Sequence, residues 1–215
     1  MNLTKILVGM TLGTTLLFQG CVSNLGTRMF EICSPFSNVP KSDLDKKVHI
    51  LSNITMQNFN EYAKQVLNDV DYRCATIDEL DGAIGRYVFL NGGIIFIADS
   101  CVESYDSSIM FHEMIHRLDY TGKIDRFKFF TIYDDMDSEM FPFKKQIEKI
   151  LKSQEYNSSF WKDPHSERIA YTFDFWNSKK VNLPEQMVEF GKSFLDTDFV
   201  AKLRKRQQSL YIANR

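Results

Sequence analysis

Two histidines four residues apart, with a glutamate directly after the first, most constrain what this chain can fold into: His112-Glu113-Met114-Ile115-His116. On an α-helix, residues four apart lie one turn apart on the same face, so His112 and His116 can share one cation. Glu113 would then point beside the cation, where it can take a proton from bound water. The spacing has this meaning only on a helix.

The flanking residues predict that helix. Asp106, Ser107 and Ser108 offer capping oxygens before the segment, and Gly122 offers a stop after it. At about 100° per residue, the three polar motif residues fall on one side, opposite an apolar stripe of Met110, Phe111, Met114, Ile115 and Leu118. The polar face would therefore turn towards a cleft. The alternative, histidines packed in the core with hydrogen-bonded rings, suits a lone histidine better than this triplet.

The first residues are typical of an export signal. Lys5 supplies a positive start, residues 6–18 form a short apolar stretch, and Gly20-Cys21 resembles the end of a bacterial lipobox. We predict a signal peptide of the lipoprotein type over 1–20, lipidation of Cys21 and a tether over 21–41. A cleaved secretory signal and an uncleaved anchor are the alternatives. The expected location is the bacterial cell envelope, anchored to the membrane by lipid and facing the periplasm or the exterior.

The charge balance argues against an obligatory nucleic-acid partner. The chain has 26 basic and 28 acidic residues, and removing residues 1–20 leaves a net charge of −3. Nucleic-acid binding normally requires a basic face. The basic cluster near the C-terminus is interpreted as a solvated helix end, with contact to anionic lipid as the alternative: Lys202, Arg204, Lys205 and Arg206.

The cysteines leave two possibilities open. With Cys21 lipidated, Cys33, Cys74 and Cys101 remain in a compartment that permits disulfides. A Cys74–Cys101 bridge and inert buried thiols are both compatible with the sequence. Because no CxxC pair occurs, a cysteine metal cluster is not indicated.

A β-hairpin is predicted just before the motif helix. Residues 86–90 and 93–98 are rich in β-forming side chains and flank Asn91-Gly92, which favours a two-residue type I′ turn. Apolar spacing predicts one helix from Leu44 to Leu67, or two joined near Asn53. Later helices are expected at 142–153, 165–178, 184–195 and 198–210. Residues 42–215 therefore predict one mainly helical α+β domain with a small sheet in the N-terminal half.

A catalytic zinc site needs a third protein ligand and an open position. No HxxGxxH extension follows His116, so the ligand must come from elsewhere, and a downstream glutamate is the usual solution. Glu167 stands out because Ala170, three residues later, is small enough to let its helix approach the motif helix closely. The candidates are Glu139, Glu148, Glu155, Glu167, Glu185 and Glu189.

The motif residues resemble those of the gluzincins. His112 to His116 followed by Leu118-Asp119 looks like the HExxHxLD run of Mlc titration factor A-type peptidases. Residues 167–173 are similar to the E-x-[FI]-A-x-x-F segment of those enzymes and of anthrax lethal factor-like peptidases. The resemblance covers about residues 86–176. It implies a zincin-like fold and a Zn²⁺-dependent endopeptidase or aminopeptidase with His112, His116 and Glu167 as ligands.

The same resemblance suggests roles for further residues. Lethal factor-like enzymes stabilise the oxyanion with a tyrosine about two turns before the ligand glutamate, where this chain has Phe160. Tyr156, His165 or Tyr171 can take that role instead. For each tyrosine, aromatic packing is the alternative. His165 could otherwise be a ligand. Asp119 is expected to accept the outer N–H of a ligand histidine. In such peptidases an edge strand before the helix commonly binds substrate by backbone pairing; an ordinary structural hairpin is the alternative.

The sequence thus predicts a membrane-tethered, extracytoplasmic zinc metallopeptidase that acts on peptides or proteins, with Glu113 as general base. The main alternative is a lipoprotein binding module with a structural or vestigial zinc site. A helical domain without metal is a third possibility.

Overall fold

The computed structural model describes residues 43–89, 92–104, 106–155, 163–178 and 181–213. They form a mainly helical α+β structure around a small sheet, as predicted. Its elements are α1 (Asp43–Met56), α2 (Glu61–Leu67), β1 (Asp71–Ala75), β2 (Gly85–Val88), β3 (Ile94–Ala98), α3 (Asp99–Glu103), α4 (Ser107–Tyr120), α5 (Arg126–Asp135), α6 (Pro142–Glu155), α7 (Pro164–Ser178), α8 (Glu185–Gly191) and α9 (Thr197–Ala213).

The sheet has the order β1-β3-β2. The central strand β3 pairs in parallel with β1 and antiparallel with β2, and all five of its residues are buried. Burial on both faces explains its unbroken apolar sequence, since each face must be covered by other elements. Strand β2 consequently lies at an edge of the sheet, on the side of α4.

The antiparallel pairing of the hairpin is confirmed, but its turn was predicted wrongly. Val88 pairs with Ile94, whereas a two-residue Asn91-Gly92 turn would pair Val88 with Ile95. The reason is Gly93, which has a φ of +99°. This angle lies outside the range of a β-strand, so Gly93 belongs to the turn. A Cβ there would also lie 3.0 Å from an Arg117 nitrogen. Strand β3 therefore begins one residue later, at Ile94; Leu90 and Asn91 lie outside the described residues.

Helix α4 carries the histidine motif and forms as its flanking residues predict. Asp106 caps it by accepting a hydrogen bond from the Ser108 N–H at 3.0 Å, and Gly122 follows its end with a φ of +68°. The apolar stripe predicted for this helix is completely buried: Met110, Phe111, Met114, Ile115 and Leu118. Because this stripe is packed in the core, the opposite face is held towards α7 and β2.

Helices α6, α7 and α9 confirm the predicted segments, while α8 ends at Gly191, before the predicted residue 195. The first helical region divides into α1 and α2 at residues 57–60 rather than near Asn53, because Asn60 caps α2 through the Ala63 N–H. The sequence analysis missed β1, α3 and α5. Helix α5 is anchored by Phe129, which packs against Phe173 and Phe190 of the neighbouring helices.

Cys74 and Cys101 are both thiols and both half-buried. Of the two possibilities that the sequence left open for this pair, the structure therefore does not form the Cys74–Cys101 bridge. Burial raises the pKa of the Cys101 thiol. In the C-terminal basic cluster, Arg204 binds Glu185 and Glu189, and Arg206 donates to the carbonyl of Asn177 at 2.9 Å. These two side chains therefore contribute to packing between helices rather than to a fully solvated helix end.

Among the described residues, no helix combines the length and apolar character that crossing a membrane requires. The predicted signal peptide, the tether, Cys21 and Cys33 all lie outside the described residues.

Candidate metal centre

Three predicted ligand atoms converge between helices α4 and α7. The Nε2 atoms of His112 and His116 are 3.1 Å apart. The Oε2 atom of Glu167 lies 3.4 Å from the first and 3.7 Å from the second. Ala170, one turn after Glu167, is completely buried and gives α7 a small side chain where the helices approach. The structure therefore brings the two histidines together with a carboxylate that lies 51 residues after His116 in the chain.

These distances fit a tetrahedral metal site. A cation about 2.0–2.1 Å from each ligand atom would hold those atoms about 3.3–3.4 Å apart, and the measured distances bracket that value. Two imidazole nitrogens and one carboxylate oxygen are ligands that zinc accepts. His112, His116 and Glu167 can therefore hold a metal ion.

Other candidate glutamates are engaged elsewhere. Glu148 binds Arg168 at 2.8 Å, Glu139 binds Lys145, and Glu185 and Glu189 bind Arg204. The side chain of Glu155 lies outside the described part of the chain. Among the described glutamates, Glu167 is the one that meets the histidine pair.

The surroundings of Glu167 favour its ionised form. Burial alone would raise the pKa of this carboxyl, but hydrogen bonds from His112 and His116 outweigh the burial and hold the pKa well below its usual range. A metal ligand must be deprotonated to bind. Glu167 is therefore ready to bind a cation without first losing a proton.

Glu113 lies beside these ligands in a different environment. Only 7% of this residue is exposed. Burial raises its pKa to about 7; His112 and the backbone N–H of Tyr87 lower it, and Glu167 raises it further. A cation bound nearby would pull the pKa down again. The two glutamates of the site thus have pKa values shifted in opposite directions, as expected for groups with different tasks.

Gly85 at the start of β2 makes room for Glu113. A Cβ added to this glycine would lie 2.6 Å from Cγ2 of Ile109 and 2.8 Å from Oε1 of Glu113. Any larger residue would displace one of these groups. The sequence analysis missed Gly85, although a glycine directly before a strand can indicate a close approach.

The outer nitrogen of His116 has a partner that differs from the predicted one. Its Nδ1 lies 2.7 Å from Oγ of Ser166, which directly precedes Glu167 on α7. Asp119, predicted for such a role, instead accepts two hydrogen bonds from Arg126 at 2.6 and 2.7 Å. The structure therefore pairs Asp119 with Arg126 rather than with a ligand histidine, because a guanidinium that matches its carboxylate geometry lies within reach.

We expect Ser166→Ala to lower the affinity for Zn²⁺, the cation that the motif predicts, by about 10–100-fold. The hydroxyl fixes the ring orientation and tautomer of His116, and alanine cannot. Competition with a chromogenic chelator measures the affinity. Ser52→Ala is the matched control, since Ser52 is also buried but bonds only the local carbonyl of His49. Equal affinity in both variants would contradict this role for Ser166.

Tyr171 and His165, the two residues predicted to assist catalysis, lie in different places. The ring of Tyr171 packs edge-on against that of His112, with 4.6 Å between centroids. His165 is exposed, and its ring packs against Phe130 at 4.9 Å; it is not part of the group that can hold a metal. Tyr156 and Phe160 lie outside the described residues.

The site is a group of two histidines and a glutamate, shared by two helices, that could hold a metal ion, with a buried carboxyl beside it. No protein-family model matches the chain, and comparisons with curated proteins and with solved structures return no match.

Proposed function

We propose that this chain is a zinc-dependent peptidase of the gluzincin type, with a zincin-like fold. The observation that carries the proposal is the convergence of His112, His116 and Glu167 within 3.7 Å of one another, with Glu113 buried beside them. A purely structural metal site would normally be closed by four protein ligands. Three ligands and an adjacent carboxyl fit a site that keeps one position for water or substrate.

Zinc, when bound, would supply a Lewis acid that polarises the scissile carbonyl and acidifies the attacking water. Glu113 would accept the proton of that water and later deliver it to the leaving amine. Burial raises the pKa of Glu113 to about 7 before a cation binds, and a bound cation would lower it again, so that the carboxylate form that accepts the proton would be present near neutral pH. Tyr171 is the favoured candidate for steadying the developing oxyanion, because its ring lies against His112.

The substrate would be a peptide in extended conformation. Strand β2 pairs with β3 along one side, and the backbone N–H of its Tyr87 is close enough to Glu113 to lower the pKa of that carboxyl. A peptide added along the edge of β2 would run about 4.7–4.9 Å from the strand, and so pass beside Glu113. Backbone pairing of this kind binds many sequences alike, so selectivity would depend on the side chains around the site.

The proposed place of action is outside the cytoplasm, with the catalytic domain attached to the bacterial membrane through lipidated Cys21. This part of the proposal depends on residues 1–21 of the sequence. Peptides or proteins of the envelope or its surroundings would be the substrates.

The test is hydrolysis of a broad peptide library by the zinc-loaded full chain. Cleavage is expected in the wild type and should disappear after chelation and in Glu113→Ala. A protein that binds one zinc ion but cleaves nothing in the library would instead be the binding module with a structural or vestigial site. Binding of much less than one zinc ion per chain after repletion would indicate a helical domain without metal.

Gly85→Ala should lower kcat by about 100-fold while zinc remains bound, because small displacements of a catalytic group have effects of that order. The added methyl group would displace the Glu113 carboxylate, which is not one of the three convergent ligands. Steady-state kinetics and metal analysis measure the two properties.

Ile109→Ala provides the control, because it removes the other atom that the new methyl group would meet. Comparing Ile109→Ala with the Gly85→Ala/Ile109→Ala double variant isolates the contact with Glu113. If the two have the same kcat, crowding of Glu113 by residue 85 has no catalytic consequence.

A further inference from the structure

Arg126, the first residue of α5, makes an ion pair with the end of the motif helix. Its Nε and Nη2 donate to the two carboxylate oxygens of Asp119 at 2.6 and 2.7 Å. The Asp119 side chain is completely enclosed, whereas that of Arg126 is 40% exposed. Asp119 lies three residues after His116, so this bidentate contact holds the last turn of α4 next to the ligand histidine.

The same guanidinium also reaches the start of the second ligand helix. Nη2 of Arg126 lies 2.8 Å from Oδ2 of Asp163. Asp163 caps α7: its Oδ1 accepts the His165 N–H at 2.9 Å and its carbonyl accepts the Glu167 N–H at 3.0 Å. One oxygen of Asp163 thus serves the helix and the other serves Arg126.

These contacts form a closed ring beside the candidate metal centre, with His116 as the member that is also a candidate ligand. From His116 it runs along α4 to Asp119, across Arg126 to Asp163, and along α7 to Ser166, whose Oγ returns to His116 at 2.7 Å. Glu167 follows Ser166 directly. We propose that Arg126 is a positioning residue, which sets the separation between the histidine pair of α4 and Glu167 of α7. This inference rests on the proposed zinc site and concerns how that site is held.

Packing alone would not set that separation as closely. Helices α4 and α7 pack on each other, and whatever part of such packing is apolar has no preferred direction. A planar guanidinium with five donors does have direction, and it can serve two carboxylates at once. Since catalytic and metal sites tolerate misplacement of only about 0.5 Å, a contact with fixed geometry at the near ends of both helices is what the site requires.

Arg126→Gln is expected to lower the affinity for Zn²⁺ by about 10–100-fold and to change the visible absorption spectrum of the Co²⁺-loaded full chain. Arg168→Gln is the matched control. Arg168, on α7, likewise forms a bidentate pair, with Glu148 of α6 at 2.8 and 2.9 Å, but that pair joins α7 to α6 rather than to α4. The control should show a lowered thermal midpoint with unchanged zinc affinity and cobalt spectrum.

Because Arg126→Gln leaves the enclosed Asp119 unpaired, a second variant guards against misfolding. Asp163→Asn keeps the Arg126–Asp119 pair and one capping oxygen, but a single oxygen cannot serve both α7 and Arg126. It should lower zinc affinity with a smaller loss of thermal stability. If both variants retain wild-type affinity and cobalt spectra, or if Arg168→Gln loses affinity equally, the positioning role is refuted. If the wild type itself binds no Zn²⁺, the proposed function fails instead.

Discussion

Glu113→Gln should lower kcat for peptide hydrolysis by about 100- to 10,000-fold, the range in which positioned acid–base groups contribute, while one zinc ion per chain remains bound. Glutamine keeps the size of the side chain and still offers a carbonyl oxygen to the nearby Tyr87 N–H. It cannot take a proton from water. Because Glu113 is not among the three convergent ligands, the variant keeps every group that would bind the metal directly.

The measurement pairs steady-state kinetics with metal analysis of the same preparation. Glu148→Gln is the control, since Glu148 also bridges helices through hydrogen bonds, to Tyr133 and Arg168, but lies apart from the ligands. That variant should lose stability rather than activity. Wild-type kcat in Glu113→Gln, with zinc bound, would remove the general base from the mechanism.

Local signals made the motif helix predictable. Asp106 as a cap, Gly122 as a stop and the apolar period between them act within one helix, so no knowledge of the rest of the fold is needed. The same holds for α6, α7 and α9. Where the local signal was ambiguous the prediction failed: Asn91-Gly92 favours a short turn, but Gly93 extends the connection and moves the register by one residue.

Contacts between distant residues were predictable only where chemistry restricted the choice. Glu167 could be singled out because a two-histidine site needs a third ligand, and few glutamates have a small residue one turn later. Nothing comparable pointed to Ser166 or Arg126. Asp119 was assigned to a histidine, although the structure gives it to Arg126. A carboxylate binds whichever donor the fold brings near, and sequence spacing does not reveal that distance.

Packing contacts between distant residues were equally hard to predict from the sequence, and the contact between Gly85 and Glu113 is an example. The glycine itself is visible in the sequence, but its reason is the carboxylate of Glu113, 28 residues later, lying within 2.8 Å of where a Cβ would be. Likewise, β1 became a strand because β3 pairs with it in parallel, and such pairing depends on distant parts of the chain.

Glu167→Ala is expected to abolish the zinc-induced rise of the thermal midpoint. A cation that binds only the folded protein stabilises it by about 2.7 kcal/mol when present at a hundredfold excess over its Kd, so the wild type should melt at a higher temperature with Zn²⁺ than with chelator. Without the Glu167 carboxylate, only two of the three ligands remain. The loss of zinc affinity should therefore exceed that expected for residues such as Ser166 that only orient a ligand, which is about 10–100-fold.

The comparison is made as a difference, because Glu167→Ala also changes the stability of the metal-free protein. Each variant is melted with Zn²⁺ and with chelator, and the two midpoints are subtracted. Glu139→Ala, which removes an exposed glutamate paired with Lys145, should keep the wild-type difference. A full zinc-induced shift in Glu167→Ala would mean that the cation binds elsewhere, and the arrangement of His112, His116 and Glu167 would then have to be explained as an ion pair between helices, without metal.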